Sequence, residues 1–184
     1  MTVKQLPNFI SCLRIVGTIT LLFIEPLTIG FYVLYTSCGF TDILDGFIAR
    51  KFNATSELGS KLDSIADILY YAVMIIKILP ILIKILPMYV WYMLFGVIIV
   101  RLISYIIAAF RYKRLVSHHT YMNKASGFSA FLVPYFIEHS IAVEYCTLLG
   151  VIVSAATLEE LLMHIICKEY REDVKTIFGK EIIF

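Results

Sequence analysis

Apolar residues in this chain gather into long runs separated by short polar stretches, and the runs do not alternate with polar positions. Six of them approach the roughly 20 residues that a helix needs to cross a hydrocarbon core about 30 Å thick. They extend from about Phe9 to Glu25, Leu27 to Arg50, Glu57 to Leu79, Met88 to Phe110, Met122 to His139 and Val143 to Cys167. Pro26 divides the first two, while Pro80 and Pro87 frame a short loop that ends the third. An extended backbone in lipid leaves amide groups unpaired at several kcal/mol each, so spanning segments are helices or a closed barrel. Runs without alternation favour helices. The predicted architecture is all-α and integral to a membrane, with six transmembrane helices.

Basic residues set the orientation. With the N-terminus in the cytoplasm, that side receives Lys4, Arg50, Lys51, Arg111, Lys113, Arg114, Lys168, Arg171, Lys175 and Lys180, with Lys61 and Lys124 near it. The other side receives only Lys77 and Lys84. The expected topology is N-in and C-in, in the cell membrane. Tyr89, Trp91 and Tyr92 then act as interface anchors on the far face, and Tyr112 and Tyr121 on the cytoplasmic one.

Composition narrows the classes. Sixty per cent of the 184 residues are apolar and 16% charged, which excludes a disordered chain. A net charge of +2 excludes a basic nucleic-acid binder, so any electrostatics that matters is local. The length fits one domain over residues 1–184, ending in a polar cytoplasmic tail from about Lys168, and there is no repeat. Cys12, Cys38, Cys146 and Cys167 lie too far apart for a zinc site or a disulfide framework and read as packing residues. Met1 to Pro7 carries one Lys and no small-residue cleavage site, so the first run is expected to be retained. The sequon Asn53-Ala54-Thr55 falls on the cytoplasmic side.

Against this apolar background four carboxylates stand out. The chain reads Asp42-x2-Asp45-Gly46-x2-Ala49-Arg50-x8-Gly59-x3-Asp63-x3-Asp67. At about 100° per residue, Asp42, Asp45, Gly46 and Ala49 share one helix face, and Gly59, Asp63 and Asp67 share a face of the next. Each ionised Asp at membrane depth costs about 2.5 to 3.5 kcal/mol, and like charges in one site repel further. Arg50 and Lys61 cannot neutralise four acids. Two hard divalent cations, Mg²⁺ or Mn²⁺, can, since carboxylate oxygens suit them and the charges then balance. Such a pair also binds a diphosphate and stabilises charge developing on it during an in-line displacement. Helix-end salt bridges would account for two acids, but not for four on facing stripes with two glycines and an alanine. Gly46, Ala49 and Gly59 remove bulk where a ligand approaches the backbone.

These residues resemble the signature of the CDP-alcohol phosphatidyltransferase family at every defined position, eight fixed residues over 26 positions. The resemblance implies transfer of a phosphatidyl group from a CDP-linked lipid, normally CDP-diacylglycerol, to a small alcohol, with release of CMP. By position it implies that Asp42, Asp45 and Asp63 hold two metal ions, that Asp67 completes the site and takes the proton of the attacking hydroxyl, and that Arg50 contacts the diphosphate. Gly46, Ala49 and Gly59 would make room for the cytidine end.

The acceptor must be chosen elsewhere. Arg101 sits inside the fourth run, where a lone cation marks an inward-facing functional position. Lys124 stands at the mouth of the fifth, and together they offer two positive charges suited to an acceptor phosphate. His118 and His119 read as solvated loop residues, His139 and His164 as interfacial packing. The opening Leu6-Pro7-Asn8 through Arg14 resembles the start of bacterial phosphatidylglycerophosphate synthases, while Asn123-Lys124 resembles their fifth-helix opening only loosely. Glycerol 3-phosphate is accordingly the preferred acceptor, with serine, inositol and inositol phosphate as alternatives. A cation transporter is the rival from another class, but its acids would be expected near midplane on broken helices, often with internal repeats. The outer faces of the third and fourth runs offer surfaces for a homodimer.

Overall fold

The structure, a computed structural model, describes residues 6–52, 57–113, 120–167 and 176, apart from the side chains of residues 6, 7, 43, 47, 49, 50 and 57. Among the described residues the regular structure is entirely helical: α1 (Leu6–Leu21), α2 (Ile29–Lys51), α3 (Glu57–Ile85), α4 (Met88–Tyr112), α5 (Tyr121–Phe136) and α6 (Ala142–Ile166). Among the described residues three stretches are long and apolar enough to cross a membrane, Leu58–Ile85, Met88–Tyr112 and Ala142–Ile166. By contrast, α1 and α5 have 16 residues each, a rise of about 24 Å that falls short of the hydrocarbon core. The sequon, His118, His119 and nearly all of the polar tail lie outside the described residues.

The chain divides into two compact units, Met1–Lys84 and Ile85–Phe184. In the first, α1 packs along α2. They come close at Gly17, where a Cβ would meet Cys38 Sγ at 3.0 Å, so a small residue at that point lets the two helices close up. α3 joins them through Tyr70, whose ring stacks on Tyr35 at 5.7 Å and whose hydroxyl donates to the Tyr35 carbonyl. The turn after α1 passes through Leu27 with φ 65°. There the Lys77 ammonium donates to the Ile24 carbonyl at 2.9 Å, supplying a partner that lipid cannot. The Thr28 hydroxyl accepts from Phe31 N and caps the start of α2.

In the second unit α6 packs against both α4 and α5. Pro87 precedes α4, and the Thr120 side chain caps α5 by accepting from Asn123 N at 3.1 Å. Both are ordinary start signals. Hydroxyls inside the helices fold back on their own chain, as in Thr147 to Val143 O, Ser154 to Gly150 O and Thr157 to Val153 O, which satisfies them without water.

One expected boundary is corrected. Pro80 does not end the third helix; α3 runs through it to Ile85. Proline removes one backbone hydrogen bond, whereas unwinding the apolar residues that follow it would orphan several more in a setting without water.

Burial is inverted relative to a water-soluble protein. Large apolar side chains such as Ile68, Ile76, Phe95, Phe110 and Leu148 are exposed, while Ser11, Arg14, Asp45, Ser104, Glu160 and His164 are buried. This is the pattern of a membrane protein, whose helices turn grease outward and close polar groups inward.

Candidate active site

The first unit brings the four signature carboxylates together. On α2, Asp42 and Asp45 are three residues apart; on α3, Asp63 and Asp67 are four apart, so each pair lies on one helix face. Oxygens from Asp42, Asp63 and Asp67 all lie within 4.8 Å of one another. These three side chains are roughly half exposed, whereas that of Asp45 is only 5% exposed. Asp45 is held by Ser11 Oγ, which donates to it at 3.0 Å from α1. Gly46 and Gly59 are half-buried on the same two helices, while the side chains of Ala49 and Arg50 lie outside the described residues.

A fifth charged group, not expected at this site, lies among the acids. Arg14 of α1 ion-pairs with Asp42 through Nη1. Its Nη2 lies 2.5 Å from Asp63 Oδ1, 3.5 Å from Asp67 Oδ1 and 3.6 Å from Asp45 Oδ2. The Arg14 side chain is 1% exposed. A usable signal was present: an arginine inside an apolar run is costly unless it has a partner, and Ser11 and Arg14, three residues apart, share a helix face.

Arg14 changes the charge arithmetic without closing it. Counting the described ion pairs alone, four carboxylates and one guanidinium leave −4 + 1 = −3. The residues fit a divalent cation: three hard oxygen donors converge, they are wet enough for an ion to enter, and the acids outnumber the cation paired with them.

The second unit holds a polar cluster of different make-up. Arg101 Nη2 donates to Glu160 Oε2 at 3.0 Å and to Asn123 Oδ1 at 3.1 Å, and Asn123 Nδ2 donates to the same Glu160 oxygen at 3.1 Å. The Glu160 side chain is 1% exposed. Lys124, next to Asn123, is exposed. His164, read from sequence as interfacial packing, is fully buried and hydrogen-bonded through Nδ1 to Ser104 Oγ at 2.8 Å. Tyr112 sets its ring edge against that imidazole.

The acid signature and the helical layout agree with what comparison with known proteins finds. A family model described as CDP-alcohol phosphatidyltransferase matches residues 4–163. The chain belongs to this family. Among curated CDP-alcohol phosphatidyltransferases, a CDP-diacylglycerol–glycerol-3-phosphate 3-phosphatidyltransferase of Rickettsia felis is 32% identical over 87 residues, 41% of this chain and 45% of the relative. Its counterpart in Rickettsia bellii is 35% identical over the same shares. A CDP-diacylglycerol–serine O-phosphatidyltransferase of Bacillus subtilis is 40% identical over 72 residues, 36% of this chain and 41% of the relative. The matched segments thus span less than half the length of each of these relatives. No solved structure matches the chain at comparable significance. The three relatives are all named for CDP-diacylglycerol but for two acceptors, glycerol 3-phosphate in two of them and serine in the third.

Proposed function

We propose that this protein transfers the phosphatidyl group of CDP-diacylglycerol to a small alcohol and releases CMP, with glycerol 3-phosphate as the preferred acceptor. The observation that carries this reading is the meeting of Asp42, Asp63 and Asp67 from two helices, with Asp45 beside them on α2. In this reading the four aspartates hold two divalent cations, Mg²⁺ or Mn²⁺, which when bound neutralise charge on the diphosphate. The acceptor oxygen forms a bond to the lipid-side phosphorus, the bond from that phosphorus to the bridging oxygen of CMP breaks, and the hydroxyl proton passes to Asp67. A carboxylate within hydrogen-bond reach is an economical activator for an alcohol, a weak nucleophile at neutral pH. Arg50 binds the diphosphate, and Gly46, Ala49 and Gly59 leave space for cytidine.

Arg101 and Lys124 are proposed contacts for the acceptor phosphate, on the ground of charge. The Rickettsia relatives support glycerol 3-phosphate; serine is the alternative favoured by the Bacillus relative. We take the family match over residues 4–163 to mean one functional domain, crossing the cell membrane six times with both ends and the acid site on the cytoplasmic side, as the bias of Lys and Arg supports. The test is CMP release by purified protein from CDP-diacylglycerol with Mn²⁺ or Mg²⁺ and a panel of glycerol 3-phosphate, serine, inositol and inositol phosphate. Release that depends on glycerol 3-phosphate and stops with EDTA is expected. No release with any acceptor would refute the activity, and release with serine alone would refute the acceptor.

A further inference from the structure

We propose that Arg14 is a positioning residue of the metal site, whose guanidinium gathers Asp42, Asp45, Asp63 and Asp67 when no cation is present and then competes with the cation for them. The inference rests on the reading that these acids hold divalent cations. Nη2 alone approaches three carboxylates within 3.6 Å, yet a guanidinium nitrogen of this kind carries only two hydrogens. Its attraction for the set is therefore partly plain charge. Arg14 Nε, also buried, has no hydrogen-bond partner among the described residues, so the guanidinium is tied through its outer end to the acids. Without it, four like charges at the meeting of two helices would push apart. With it, an arriving cation meets a positive charge already seated among its ligands. Two ions bring the site to −3 + 4 = +1 with Arg14 retained, a sign suited to a diphosphate.

The test is Mn²⁺ binding to the purified full chain, followed by electron paramagnetic resonance, in wild type, Arg14→Gln, Arg14→Lys and Lys84→Gln. Coulomb repulsion at such short range predicts that Arg14→Gln binds Mn²⁺ about tenfold more tightly or better, while Arg14→Lys, which keeps the charge, stays within about threefold of wild type. Lys84→Gln removes the same charge at the far end of α3 and is expected to leave the affinity unchanged. Metal-free Arg14→Gln should also melt at a lower temperature than wild type and recover on adding Mn²⁺. Unchanged or weaker binding in Arg14→Gln, or equal tightening in Arg14→Lys or Lys84→Gln, would overturn the proposal.

Should Arg14→Gln fail to fold, wild-type protein carries the decision. Mg²⁺ titration should shift the Arg14 guanidinium ¹⁵N resonance, assigned by its loss in Arg14→Lys, and no shift at saturation would overturn the proposal. Tight Mn²⁺ binding without CMP release would sink the proposed activity while leaving the role of Arg14 standing.

Discussion

Each unit of the molecule sets an arginine against a buried carboxylate, Asp45 in one and Glu160 in the other, and the two clusters differ in their charge balance. In the second, Arg101 meets one carboxylate, Glu160, with Asn123 filling the remaining geometry. In the first, Arg14 meets four. The one-to-one pair balances its own charge, although Arg101 Nε is buried without a hydrogen-bond partner among the described residues. Among the described ion pairs the four-to-one group is short of positive charge, which in the proposed function divalent cations supply. On the proposed function, the surplus of acid marks where cations bind, and the balanced pair with its partly exposed arginine marks where a neutral cluster can still offer an anion one cationic side chain.

The contrast is open to experiment, most forcefully through Asp67. Asp67→Asn is expected to lower CMP release by about 10²- to 10⁴-fold, the usual worth of a positioned acid or base, while the protein still folds. Near-normal turnover would remove Asp67 from the chemistry. On the balanced side, Glu160→Gln should lower stability by about 2 kcal/mol, below the range for fully buried pairs because the Arg101 side chain is 34% exposed. Mn²⁺ affinity should be unaffected. A change in metal affinity there would show that the two clusters are not independent.

A smaller effect is expected from Ser11→Ala, which takes a hydrogen bond from buried Asp45 and should destabilise metal-free protein by about 1–2 kcal/mol, as read by thermal unfolding. Smallest are two glycine substitutions. In Gly150→Ala the new methyl runs into Met93 Cε, the movable end of a flexible side chain, so melting should change little. Gly17→Ala presses Cys38 Sγ instead and should cost about 1 kcal/mol. Equal costs for the two would mean that the α1–α2 approach is no tighter than the α4–α6 one.

The acid site was legible because its spacing is local: intervals of three and four residues put each aspartate pair on one helix face, and only eight residues separate Arg50 from Gly59. The limits of the helices were legible to within about four residues, α1 ending at Leu21 rather than Glu25 and α5 at Phe136 rather than His139, except at Pro80, where a rule drawn from water-exposed helices overstates the tendency to break. What sequence spacing does not carry is which helix comes across to meet another. Arg14 lies 28 residues from Asp42 and 49 from Asp63, and nothing in that spacing names the partner. Arg101 stood out as a cation in an apolar run, yet Glu160, 59 positions away, is a pairing only the folded chain reveals.

The Lys77 ammonium on the Ile24 carbonyl gains a consequence once Arg14 is considered with it. These two cationic attachments lie ten residues apart, the first seven steps being helical, about 10 Å of rise, and the rest the turn after α1, and both reach α3. A short greasy rod could otherwise slide lengthwise past its neighbours at little penalty. Riveted at two points, it cannot shift by one turn, about 5.4 Å, without tearing both fastenings, so charge fixes its axial setting together with the close fit at Gly17.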